Sequence, residues 1–181
     1  MVVFTTIKDN SIMSKRVCFI GHRKIIVTEE LKNNLTEYIE YLINDENVRV
    51  FLFGSRSQFD DLCYDIVSEL KEKYPDIKRV YVRHCYEIIS DWYKKYLLEG
   101  YEETFYPKEC KNAGKISYVR RNQAMIDKSD YCIFYYNENY LPPRRKKTNA
   151  DLLDYQPKSG TALAYHYAEQ KKKIIKNFYK K

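Results

Sequence analysis

Apolar positions along the chain follow two patterns. Short unbroken runs recur at Val17 to Ile20 ("VCFI"), Val48 to Ser55 ("VRVFLFGS"), Ile77 to His84 ("IKRVYVRH"), Tyr131 to Asn137 ("YCIFYYN") and Ile174 to Phe178 ("IIKNF"). Their β-branched and aromatic content predicts strands. Between them the period lengthens. Leu31, Leu35, Ile39 and Leu42 share one helical face behind a candidate N-cap at Thr28, and Phe59, Leu62, Ile66, Val67 and Leu70 form a second face that Pro75 ends. "SYVRRNQAMIDKSD" and "SGTALAYHYAEQKKK" predict two further helices, the latter opened by Ser159 and Gly160. The stretch from Tyr86 to Lys115 is irregular and aromatic; it predicts a short helix around Trp92 to Leu98 and then a loop. The polar segment from Glu138 to Lys158 predicts a lid or binding loop.

Strand–helix alternation with continuously apolar strands argues for a parallel sheet covered on both faces. With right-handed crossovers this is an α/β chain: a single Rossmann-like three-layer sandwich, mainly parallel, of about five strands in the order 3-2-1-4-5. The expected layout is an N-terminal extension over residues 1–15, either loose or an added strand, followed by one domain over 16–181. Ligands of such sheets bind beyond the carboxyl ends of the strands, where the order reverses.

That rule gives meaning to "RVCFIGHR", an apolar run that stops on Gly21, His22 and Arg23. A strand followed by a turn explains it; so does an anion-binding loop at the reversal point. Gly54 and Ser55 end the second strand in the same way, with Asp60 or Asp61 beyond them as candidate acceptors for a ribose hydroxyl. Ser159, Gly160 and Thr161 open the last helix, where free N–H groups and the helix dipole suit a phosphate. In "VRRNQAMIDKSD", Arg121 and Asn122 are the candidates to face the pocket. Arg120, next to Arg121, points elsewhere.

Composition narrows the field. The chain has 181 residues, a formal charge of +7, five cysteines and 19 tyrosines. No Cys-x-x-Cys pair occurs, and Cys18 and Cys132 sit in apolar runs, so reduced structural thiols are expected. No apolar run approaches a membrane span, and the N-terminus lacks the apolar centre of a signal peptide, so the expected place is the cytoplasm and no membrane partner is expected. The basic runs Arg144 to Lys147, Lys171 to Lys173 and Lys180-Lys181 permit an anionic partner without requiring one.

Several chemistries lose support. Asp60 and Asp61 are adjacent, unlike the paired carboxylates that hold magnesium in nucleotidyltransferases of the polymerase-beta type. His22, His84 and His166 show no metal-ligand spacing, so no metal and no cofactor is expected. No nucleophile elbow, Walker A loop or dinucleotide fingerprint is present.

The order "VCFIGHR", "FLFGSRSQFDD", "RRNQAMIDKSDYCIFYYNE", "SGTALAYHYAEQKKKIIKNF" resembles the YpsA-like branch of the SLOG superfamily, which joins the DNA-processing SMF/DprA proteins with the Lonely Guy phosphoribohydrolases. The resemblance spans roughly Arg16 to Phe178 and is weak from Tyr86 to Lys115. It implies a Rossmann-like fold with a nucleotide pocket, the Gly-Thr helix start at the phosphate and the Arg-Asn helix in the pocket wall. The hydrolase branch carries a catalytic glutamate within a turn of its Gly-Gly-x-Gly-Thr loop. Here Ala162, Leu163 and Ala164 stand there, leaving Asp127, Asp130 and Glu138 as substitutes to inspect. The leading expectation is therefore a protein that binds a nucleotide or an ADP-ribose-like molecule, as a sensor or sequestering protein. Its tyrosines near Tyr135 and Tyr136 would stack on the base. Nucleotide N-glycosidic cleavage is the alternative, and single-stranded nucleic-acid binding the next. Homo-oligomerisation stays open.

Overall fold

This computed structural model describes residues 14–54, 57–142 and 159–180. The expected N-terminal extension, apart from Ser14 and Lys15, lies outside the described residues. So do Ser55 and the basic run Arg144 to Lys147.

Strands β1 (Lys15–Gly21), β2 (Val48–Phe53), β3 (Lys78–Val82), β4 (Glu103–Phe105), β5 (Tyr131–Tyr135) and β6 (Ile174–Asn177) form one sheet of six strands. Its order is β4-β3-β2-β1-β5-β6, and every neighbouring pair is parallel. The five strands read from sequence keep their expected order, and β4 adds an outer edge. Three residues are too few to show a period. β4 exists through its partner: Val80, Tyr81 and Val82 pair with Glu103, Thr104 and Phe105. The Glu102 carboxylate also accepts from the Arg79 backbone N–H at 2.6 Å and from its Nη2 at 2.8 Å.

Helix α1 (Glu29–Asn44) starts where Thr28 accepts the Leu31 N–H, and α2 (Gln58–Lys73) where Ser57 accepts the Asp60 N–H. Leu31, Leu35, Ile39, Leu42, Phe59, Ile66, Val67 and Leu70 are buried together against Val17, Phe19, Phe51 and Phe53. Each fully buried aliphatic or aromatic side chain stabilises the fold by about 1.5–3 kcal/mol. Helix α3 (Asp91–Gly100) is joined to α2 by the Tyr64 hydroxyl, which donates to the Gly100 carbonyl at 2.7 Å. The opposite core packs α4 (Ser117–Asp127) and α5 (Gly160–Gln170) onto Cys18, Ile20, Leu52, Cys132 and Phe134. Cys18 and Cys132 are thus small core residues in register on adjacent strands. No helix among the described residues is long and apolar enough to cross a membrane.

At the N-terminal edge of the sheet, Glu46 gathers three partners. Its carboxylate accepts from Lys15 Nζ at 2.6 Å, from the Tyr41 hydroxyl at 2.9 Å and from the Tyr131 hydroxyl. This ties the end of α1 to the starts of β1 and β5. The Lys15 ammonium first, then the two hydroxyls, lowers the Glu46 carboxyl from its ordinary 4.5 to about 2. A depressed carboxyl contributes stability that is complete above its unfolded pKa and is lost as pH falls through the folded one. Denaturant titrations from pH 5 to pH 2 are therefore expected to show a fall in stability that Glu46→Gln makes shallower. An identical slope in the variant would show that Glu46 carries none of it.

Candidate functional site

The parallel sheet sends the carboxyl ends of its strands to one edge, and the helix that follows each strand starts there. β1 leads through α1 to β2 on one side, while β5, reached through α4 on the other face, pairs with its opposite side. The strand order therefore reverses between β1 and β5, where a crevice for a ligand is expected.

His22 stands at that reversal and is 2% exposed. Its backbone N–H donates to the Tyr135 carbonyl at 3.2 Å, and its Nε2 accepts the Asn137 N–H at 2.9 Å. A backbone N–H can only donate, so Nε2 carries no proton, and the neutral ring holds its proton on Nδ1. Burial lowers the imidazole below its ordinary 6.5, which agrees with that neutral form. Nδ1 is buried and has no hydrogen-bond partner among the described residues. A buried donor left unsatisfied costs about 1–3 kcal/mol, so such a group calls for an acceptor. The Tyr140 ring lies against the imidazole with centroids 4.2 Å apart, and Tyr136 stands at 6.0 Å. The Asn137 carbonyl accepts the Tyr140 N–H and closes the turn that carries this ring.

Helix α5 joins the same group through Tyr136, whose ring lies 4.6 Å from Tyr165 and 6.1 Å from His166. Ser159 caps α5 by accepting the Ala162 N–H at 3.1 Å, and Thr161 is buried. Gly160 faces the Tyr118 ring, whose Cε2 would stand 3.0 Å from an added Cβ.

The other predicted residues form a second group. Arg121 is 4% exposed, and its Nη1 donates to the Gly54 carbonyl. Its Nε and Nη2 donate to the Asn122 Oδ1 at 3.1 and 3.0 Å. Arg121 thus turns inward as its helix position implies, while the exposed Arg120 bonds the half-buried Gln123. The guanidinium holds the end of β2. Burial lowers its pKa, and the nearby Asp60 carboxylate works against that shift. Of the two candidate ribose acceptors, Asp60 is 2% exposed in the first turn of α2, and Asp61 beside it is exposed.

Both strand-end glycines answer to packing. A Cβ on Gly21 would stand 2.4 Å from Phe59 Cδ1 and 2.5 Å from Phe59 Cβ. On Gly54 it would meet Met125 Sδ at 2.7 Å and Arg121 Cδ at 2.8 Å. These close approaches seat α2 over β1 and α4 over β2. Arg23 is exposed, and its carbonyl accepts the Gln58 N–H at 3.0 Å.

Two of the carboxylates considered for cleavage lie at the wrong edge. Asp127 accepts from the Tyr167 hydroxyl at the end of α4, and Asp130 accepts the Arg16 N–H at the start of β1. Because α4 runs against the strands, its C-terminus sits far from Gly21. Glu138, just beyond Asn137, is the one of the three on the crevice side. Tyr135 also differs from expectation: its ring packs 5.8 Å from Phe59 and 5.6 Å from Tyr179. Tyr140, which sequence reading left inside the long polar segment, takes the position beside His22. Its only signal was an aromatic soon after the fifth strand.

A model of the YpsA family, described as the YspA SLOG family, matches residues 21–165. The chain belongs to this SLOG family. No curated protein matches the chain. The SLOG match opens on Gly21 and closes on Tyr165, so it encloses both the His22 group and the Gly54–Arg121 group. Among the described residues, no three His, Cys, Asp or Glu side chains are grouped to hold a metal.

Gly54→Ala is expected to destabilise the chain by about 1–3 kcal/mol through overpacking against Met125 and Arg121, measured by urea unfolding. A change under a few tenths would mean that α4 shifts freely. Stability should also fall as pH drops below 6.5. Burial lowers His22 and His84, so the unfolded chain takes up protons that the folded chain resists. His22→Phe should reduce that slope; an unchanged slope would exclude His22 as a contributor.

Proposed function

We propose that the chain binds an anionic, nucleotide-derived small molecule of the ADP-ribose type in the crevice between the ends of β1 and β5, as a sensor or sequestering protein. The observation that carries this reading is the buried Nδ1–H of His22, a donor without an acceptor among the described residues, at the reversal point of the sheet. A phosphate or carbonyl oxygen of the ligand accepts it. Gly160 and Thr161, at the capped start of α5, take a phosphate through backbone N–H groups and the helix dipole. Tyr136 and Tyr140 offer ring faces beside His22 to the base. In this reading Gly54, Arg121 and Asn122 shape the pocket wall and do not bind phosphate directly, because Arg121 already donates to the Gly54 carbonyl and to Asn122. Membership of a SLOG family agrees with a nucleotide-derived ligand.

Binding of ADP-ribose and of common nucleotides by calorimetry, with native mass spectrometry of the purified protein, tests the reading. His22→Phe keeps a flat ring but removes the Nδ1 donor, and is expected to weaken binding by about tenfold or more, the cost of one hydrogen bond to a charged group. Equal affinity in a variant of normal thermal stability would remove His22 from the site. Release of a free base with turnover would replace binding by glycosidic cleavage.

A further inference from the structure

Tyr136 lies just past the end of β5, where its N–H and carbonyl need partners other than a strand. Within the ladder, Phe134 is opposite Asn177, and the Phe178 N–H donates to the Phe134 carbonyl at 2.8 Å. Beyond it the Asn177 side chain takes over. Its Oδ1 accepts the Tyr136 N–H at 2.9 Å, and its Nδ2 donates to the Tyr136 carbonyl at 2.9 Å. Oδ1 also accepts the Tyr179 N–H at 3.2 Å. Two N–H groups meet one end of the amide and a carbonyl meets the other, so its partners fix which end is oxygen.

The residues on either side of Tyr136 are held from the opposite flank. The Tyr135 carbonyl accepts the His22 N–H, and the Asn137 N–H donates to His22 Nε2. The exit of β5 therefore runs between His22 on the β1 side and Asn177 on the β6 side. This clamp sets where the Tyr136 ring stands: 6.0 Å from His22, 4.6 Å from Tyr165 and 6.1 Å from His166. Tyr136 is half-buried, so part of its surface stays open. Asn177 lies beyond the residues that the family model matches.

Few side chains could replace this amide. Aspartate has the same shape but only acceptors when ionised, and would set a carboxylate against the Tyr136 carbonyl. Leucine offers neither donor nor acceptor, and glutamine carries its amide one methylene further out. A ring held in place before a ligand arrives loses little freedom on binding, which favours the ligand that stacks on it. With the crevice taken as the ligand site proposed above, we infer that Asn177 is a positioning residue that makes the site select ligands carrying a base over the bare sugar phosphate. It acts through Tyr136. The phosphate falls to His22 and the start of α5, while the base meets the ring that Asn177 holds.

Calorimetry on the full chain compares ADP-ribose with ribose 5-phosphate, the latter also measured as a competitor. Stacking one base on one aromatic ring changes affinity by about tenfold. Asn177→Asp is expected to weaken ADP-ribose by that factor and to leave ribose 5-phosphate unchanged. The ratio of the two affinities does not depend on how much of the variant is folded. Tyr136→Leu should shift the ratio equally, and the double variant no further than either alone, because both act through one ring. A wild-type ratio in Asn177→Asp, whether both affinities hold or fall together, would overturn the role of Asn177 and leave the crevice as the ligand site. Additive losses in the double variant would do the same. Wild-type protein that binds neither compound would overturn the crevice reading and this role with it.

Discussion

Four consecutive side chains on β1 join the two halves of the molecule. Val17 and Phe19 enter the core under α1 and α2, while Cys18 and Ile20 enter the core under α4 and α5. The alternation of a strand sends neighbours to opposite faces, so one short segment serves both layers. β1 also lies between β2 and β5, and the strand order reverses beside it because it is central. His22 follows directly from this strand, which explains why a polar side chain is buried so deeply there.

The two strand ends beside the crevice are built on a different principle. Gly21 and Gly54 carry no side chain because a helix approaches each from above: Phe59 of α2 covers Gly21, while Met125 and Arg121 of α4 cover Gly54. A glycine at a strand end in this fold has two physical explanations, the approach of a ligand and the approach of a helix. Here the helix occupies the space at both. The guanidinium of Arg121 is likewise spent on the protein itself, on the Gly54 carbonyl and on Asn122.

Much of the architecture was legible before any coordinates. The faces of α1 and α2, the caps at Thr28 and Ser159, the inward turn of Arg121 and the order of five strands all follow from local spacing. Local spacing records burial, and burial repeats with the period of each element. The family resemblance was legible for a related reason, since its motifs mark where strands end and helices begin.

What lay beyond the sequence concerns pairs of residues distant along the chain. The β4 strand depends on register with β3; the partner of Arg121 is a carbonyl 67 residues away. Asp127 and Asp130 belong to the far edge because of the direction of α4, which no local pattern encodes. Tyr140 reaches His22 because a turn at Asn137 folds back over the end of β1. Hydrophobic period acts over neighbouring positions, so the apolar faces and the elements that carry them could be read locally. The polar contacts around His22, and the absence of an acceptor for its Nδ1 among the described residues, come from packing between separate elements.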